Sequence, residues 1–169
     1  IEAVRPLLED ERYDKLGQNL KYDMSVLARH GVELRGVRFD TMLESYVLDS
    51  TATRHNLDDM ALKFLGREST KFADVAGKGA KQLTFDQVPL ETAGPYAAED
   101  AEIAWQLHEC LWPRLSAEPP LRAVFEHIEM PLIPVLSRME RNGTLVDGEL
   151  LGQHSRELAE RMSELEQQA

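Results

Sequence analysis

"KLGQNLKYDMSVLARHGVELRGVRF", residues 15–39, holds three elements in succession. "KLGQ" (15–18) is a brief strand running into Asn19, a residue suited to cap the helix that follows from Leu20 to about Arg29. "GVRF" (36–39) is a second short strand. Asp23 therefore falls in the first turn of a helix, just past a strand end.

Outside this stretch helix signals dominate. "IEAVRPLLEDE" (1–11) is a short amphipathic helix. Thr41 and Glu44 have capping-box spacing ahead of "MLESYVLD". Asn56 caps "LDDMALKFL", which Gly66 ends. Residues 66–82, "GRESTKFADVAGKGAKQ", show no periodicity and read as an exposed loop. Pro95 suits the first position of a new helix through Trp105 to about Leu111, with Tyr96 and Asp100 in its first turns. "SAEPP" (116–120) marks a boundary. Beyond it Val124, Phe125, Ile128, Leu132, Val135, Leu136 and Met139 recur at helical spacing, ending at Asn142 and Gly143. Asp147 caps a last helix with Leu151, Leu158, Met162 and Leu165 on one face and alternating charge on the other. It is too short for sustained heptads.

A chain of 169 residues with 43% apolar and 29% charged content can bury a core and makes one domain, or a domain and part of another. It has no membrane-span-length apolar run and no signal-peptide pattern, so it reads as cytoplasmic. The single cysteine, Cys110, can form no internal disulfide and reads as helical core. The sequence opens at Ile1 and ends within a polar helical pattern, as a piece of a larger protein would. Its formal charge of −11 is unlike the basic footprint of a phosphate-binding protein. Two readings follow: there is no polyanionic partner, or the carboxylates carry cations that meet phosphates while another part supplies a basic cleft. Composition alone leans to the first.

Asn19 with Asp23, and Tyr96 with Asp100, are i, i+4 pairs, so each pair shares one helix face. Two such helix starts meeting over a sheet would offer two carboxylates to hard divalent cations and a phenol able to orient a water. Solvated carboxylates favoured by helix dipoles, beside half-buried tyrosines, give the same spacing. Spacing alone leaves both open. "GKGAK" (77–81) lacks the glycine spacing of a phosphate loop. His30, His55, His108, His127 and His154 show no ligand spacing and read as surface or helix-face residues.

"KLGQNLKYD", "GVELRGVRFDTMLESYVLD" and "RHNLDDMA", with "GPYAAEDAE" later, resemble the second and third motifs of the 3′→5′ proofreading exonuclease domain of bacterial DNA polymerase I, the family A polymerases. "IEMPLIPVLSRMERNGTLVD" (128–147) is similar to the segment leading from that exonuclease into the polymerase domain. The resemblance spans essentially the whole chain, and the ordered combination is its specific part. It implies an α/β, ribonuclease H-like exonuclease fold, here predominantly helical and without its opening strands. Residues 1–116 would be the later part of the exonuclease domain, and 117–169 the linker and first helices of the polymerase domain.

The resemblance further implies two Mg²⁺ or Mn²⁺ ions in the complete domain, one held by Asp23 directly or through water and the other by Asp100, with Tyr96 helping to orient the attacking water. The product would be nucleoside 5′-monophosphates. Gln18, Asn19, Tyr22 and Arg54 would touch the frayed single strand, and Phe72 would stack on a terminal base. Partners would be the single-stranded DNA 3′ end, primer-template DNA and the remainder of the polymerase chain, with no membrane. The first family motif, an Asp-x-Glu on the opening strand, has no counterpart, since "EDE" (9–11) lies in a helix-like charged stretch. The chain alone is therefore expected to hydrolyse no DNA. Glu102 stands where the family pattern often has Asp. Two rivals are a non-catalytic exonuclease-like scaffold, opposed by the retained Asp23, Tyr96 and Asp100, and a ribonuclease D-like RNA exonuclease, opposed by the 128–147 continuation.

Overall fold

A computed structural model describes residues 1–168, leaving aside the side chain of Ala80. The described chain divides into two units, Ile1–Arg138 and the residues from Met139 onward. In the first, β1 (Lys15–Gly17) and β2 (Val37–Asp40) lie parallel, with Leu16 opposite Phe39 and Gly17 opposite Asp40. Parallel neighbours need a crossover, supplied here by helix α2 (Leu20–Arg29). Gly36 is required at the entry to β2: its φ is +70°, and a Cβ there would come within 2.5 Å of the Tyr13 carbonyl oxygen.

Helix α1 (Arg5–Glu9) precedes the sheet, and α3 (Thr41–Leu48) follows β2 directly. Helix α4 (Leu57–Met60) runs into a widened π-type turn, Ala61–Leu65, closed by Gly66 in the left-handed region. Residues 66–82 are not all loop. Helix α5 (Phe72–Ala76) and a 3₁₀ turn (Gly79–Lys81) occupy part of them. Elements this short carry no detectable periodicity, which hides them in sequence.

The organising element is α6 (Leu90–Ser116), 27 residues long. It begins five residues before Pro95, the expected start. Pro95 lies inside the helix and has no N–H to donate to the carbonyl four residues before it, so one intrahelical hydrogen bond is missing there. Ile103, Leu107, Leu111 and Leu115 recur every fourth residue and are fully buried. Ile103, Leu107 and Leu111 form a core with Met60 and Ala61, against which Leu48, Leu57, Phe64 and Leu65 pack. Each fully buried side chain of this kind contributes roughly 1.5–3 kcal/mol. Cys110 is partly buried and free. Helix α7 (Pro119–Val124), a second π-type turn (Phe125–Glu129) and α8 (Met130–Asn142) follow, so "SAEPP" opens a helix through Pro119 at its first position.

In the second unit α9 (Gly148–Gln168) is capped by Asp147, whose carboxylate accepts the N–H groups of Glu149 and Leu150 at 3.1 and 3.0 Å. Leu151, Leu158, Met162 and Leu165 on this helix are all exposed. Among the described residues no helix is long and apolar enough to cross a membrane.

Two caps differ from the sequence expectation. Asn19 takes a left-handed conformation, φ 56°, and its side chain caps nothing. The cap of α2 comes instead from Asp40, 21 positions later. Thr41 and Glu44 form no capping box, because Asp40 is also the N-cap of α3. Glu44 points into the core and pairs with His108 on α6. His108 therefore lies on the inward face of α6, and His55, at φ 58°, has both ring nitrogens bound, to Ser45 Oγ and the Ser50 carbonyl.

Burial pushes the Glu44 carboxyl up to about 9, with Asp40 adding to the effect, and burial lowers His108. A raised carboxyl contributes stability that is full below its unfolded value and lost as pH rises through the folded one. A lowered histidine acts on the other side, its contribution lost as pH falls below its ordinary value. Between pH 7 and 9 the raised Glu44 carboxyl gives stability a downward slope. The thermal midpoint is expected to fall across that window, and Glu44→Gln to flatten the fall. Equal slopes for the two proteins in calorimetry would contradict the assignment.

Candidate active site

Asp40 is 1% exposed and receives backbone N–H groups from two helix starts. Asn19 N and Met42 N lie 3.0 Å from its Oδ1, Leu20 N lies 2.8 Å from Oδ2, and Leu43 N also donates to it. One carboxylate thereby fixes the first turn of α2, which carries Asp23, relative to α3. Thr41 Oγ donates to the Gly17 carbonyl at 3.2 Å and to Gln18 Oε1, while Gln18 Nε2 donates to the His55 carbonyl at 2.8 Å. The strand end, α3 and the turn before α4 are tied together.

These ties frame a cleft of about 650 Å³. Gln18, Asn19, Asp23, Arg54 and Asp100, all singled out from sequence, line it together with His55 and Asn56. Asp23 and Asp100 thus enter one cleft from different helices. The Asp23 side chain is open to solvent on one side, yet protein packed on the other raises its carboxyl above the ordinary value, and the charge of Asp40 adds to this. Burial likewise raises Asp100, reinforced by Asp58 and Glu99 and opposed by the hydrogen bond from Tyr96. Arg54 is exposed at the rim, 3.9 Å from Asp59.

Tyr96 and Phe72 sit beside the cleft and do not line it. The Tyr96 ring packs against Phe85 and Phe72 with centroids 5.9 and 6.4 Å away, and the two phenylalanines lie 6.2 Å apart. Burial pushes the phenol up to about 12, helped by the charges of Asp100 and Asp58, so it stays protonated at neutral pH. It is an O–H donor to Asp100 there and not a base. Tyr22, one position before Asp23, is exposed and outside both groups. Gln18 has its amide committed on both ends and forms a wall of the cleft.

Sequence reading missed several members. Arg67 bridges α6 by ion pairs to Glu99 at 2.9 Å and Glu102 at 3.2 Å, and Thr70 N donates to Glu99 at 3.1 Å. Ser69 Oγ donates to Asp58 at 2.6 Å. These contacts hold the segment leading to Phe72 against α4 and α6. Phe85 completes the aromatic group. No local pattern marks these residues, because each partner is distant in sequence. Among the described residues no three His, Cys, Asp or Glu side chains converge as a metal site, so the two cleft carboxylates stand as a pair.

A model of the 3′-5′ exonuclease family matches residues 1–116. The chain is 60% identical to DNA polymerase I of Pseudomonas aeruginosa over 171 aligned residues, covering 100% of this chain and 19% of that protein. It is 46% identical to DNA polymerase I of Rhizobium leguminosarum, covering 98% of the chain and 16% of that protein. Its fold matches the POL domain of Pol1 from M. smegmatis in complex with DNA primer-template and dNTP, with a TM-score of 0.65 and 27% identity, over 96% of this chain and 25% of that one. The chain therefore spans less than a fifth of the length of these two relatives. The mostly helical architecture with a small parallel sheet, the matched family and the whole-chain similarity agree: the chain belongs to the 3′-5′ exonuclease family and corresponds to the region of DNA polymerase I that carries that domain.

Proposed function

We propose that this segment supplies part of the proofreading site of a DNA polymerase I, removing nucleoside 5′-monophosphates from single-stranded DNA 3′ ends. The observation that supports it most is the convergence of Asp23 and Asp100 on one cleft with Asn19 and Arg54. Residues 1–116 are read as exonuclease domain, and 117–169 as linker and first polymerase helices, whose exposed apolar stripe on α9 suits burial against the rest of such a chain. Partners are then the DNA 3′ end and primer-template DNA.

The donor set fits hard divalent cations. Asp23 and Asp100 offer carboxylate oxygens, and both carboxyls are raised by a setting that a nearby cation would relieve. Those two residues would hold Mg²⁺ or Mn²⁺, which when bound supply an activated water and charge stabilisation for the leaving 3′ oxygen. The chain's own groups do the rest. Tyr96 O–H holds Asp100 by a hydrogen bond and orients the water. The Arg54 guanidinium at the rim suits a phosphate. Phe72, resting on Phe85 and Tyr96, offers an aromatic face to a terminal base.

Tyr96→Phe removes one O–H and leaves the aromatic packing intact. In a DNA polymerase I carrying this segment it is expected to slow single-turnover 3′ exonuclease cleavage by roughly 10- to 1,000-fold, with little change in DNA affinity. An unchanged rate would return Tyr96 to a packing role. A non-catalytic scaffold is favoured by one observation, the lack of a third converging ligand among the described residues. Absence of any metal-dependent 3′ cleavage in that protein would establish it.

A further inference from the structure

We propose that Glu44 and His108 are positioning residues, whose buried hydrogen bond locks α6, with Tyr96 and Asp100, onto the same short helix that holds the start of α2 and Asp23. The inference rests on the exonuclease reading above. Glu44 Oε1 lies 2.6 Å from His108 Nδ1; the Glu44 side chain is 0% exposed and that of His108 14%. Glu44 Oε2 has no hydrogen-bond partner. A carboxyl this deep with one oxygen unsatisfied is costly, and an apolar residue would fill the space at less cost. Its presence calls for a task, and the proposed chemistry uses neither residue directly.

The geometry supplies that task. Helix α3 starts at the Asp40 cap, which takes the Asn19 and Leu20 N–H groups of the α2 start. One turn later Glu44 reaches across to α6. Asp23 and Asp100 line their common cleft from separate helices, so their spacing is referred through α3 at both ends. His108 is itself held in place, with Phe39 4.4 Å and Trp112 6.0 Å from it between ring centroids. A rigid donor–acceptor pair between packed rings resists sliding of α6 in a way that interchangeable apolar contacts do not.

One proton serves the contact. Burial raises the acid and lowers the imidazole, which favours a neutral carboxyl donating to a neutral Nδ1. Charged groups facing the pair are Asp40 at the head of α3 and Glu109 beside His108. Beyond Trp112 lie Arg122, 5.8 Å over its ring, and the Arg122 partner Glu126.

The test uses a DNA polymerase I carrying this segment, with single-turnover 3′ exonuclease rates from pH 6 to 10 for the unsubstituted protein, Glu44→Gln, Glu44→Leu and Asp100→Ala. A glutamine amide donates to Nδ1 as the neutral acid does. Glu44→Leu is expected to lower the rate about 10- to 100-fold with the KM for DNA nearly unchanged, and Glu44→Gln to recover most of it. Nitrogen NMR of His108 is expected to show Nδ1 unprotonated and Nε2 protonated at neutral pH. A Glu44→Leu enzyme as fast as the unsubstituted one, a Glu44→Gln enzyme as slow as Glu44→Leu, or a doubly protonated His108 at pH 7 would each overturn the proposal. If Glu44→Leu fails to fold, Glu44→Gln and the His108 signals decide. If Asp100→Ala keeps full exonuclease activity, the exonuclease reading fails, and the pair is judged by the His108 signals and by recovery of the Glu44→Leu melting temperature in Glu44→Gln.

Discussion

Asp23→Ala or Asp100→Ala, in a DNA polymerase I carrying this segment, is expected to lower 3′ exonuclease turnover by several orders of magnitude while polymerisation survives. Among the described residues, each substitution removes one of the two carboxylates that line the cleft. A site that relies on clustered charge to hold cations loses both affinity and alignment when one of a pair is gone, and a misplaced reacting group costs far more than a weakened one. The substitutions are mild structurally. Asp23 is exposed, and Asp100 is partly exposed, with Tyr96 its main side-chain partner. Parallel assays of cleavage and primer extension separate the two activities. Near-normal proofreading in both variants would remove Asp23 and Asp100 from the site.

The second large effect concerns stability. Asp40→Ala is expected to destabilise the fold by about 3 kcal/mol, since one side chain caps two helices and its loss strands buried N–H groups. Capping losses of about 0.5–2 kcal/mol each set the lower part of that range, and unpaired buried donors add to it. Asp40→Asn keeps one acceptor oxygen and turns an NH₂ toward the remaining donors, so it should recover only part of the loss. Urea unfolding of the three proteins measures this directly. A cost below about 1 kcal/mol for Asp40→Ala would show that water replaces the carboxylate there.

How much of this was legible in the sequence differs by element. β1, α2 and β2 were readable because strand ends, a first-turn acid and a glycine before β2 are local signals. The start of α6 differs from the expected one because proline favours a first helical position, whereas Pro95 lies inside a helix that begins at Leu90. Helix α5 was missed because five residues cannot show a period. The caps failed for another reason. Asn19 and Thr41 are good cap residues by type, but Asp40 reaches both N-termini at once, and nothing in the linear text says that residues 19 and 40 will meet. The i, i+4 pairing of Tyr96 with Asp100 was legible as spacing, and the resemblance carried the rest. Convergence of Asp23 and Asp100 on one cleft, the aromatic group around Tyr96 and the Glu44–His108 contact are tertiary facts.

Asp23 and Asp100 are proposed to face a common cation-dependent site. That proposal is tested most directly by anomalous diffraction from crystals of a DNA polymerase I carrying this segment, soaked in Mn²⁺ with a nucleoside 5′-monophosphate. Manganese peaks are expected within coordination distance, about 2.0–2.5 Å, of a carboxylate oxygen of Asp100 and, directly or through one water, of Asp23. Manganese bound elsewhere in the exonuclease region, with neither carboxylate in reach, would contradict it.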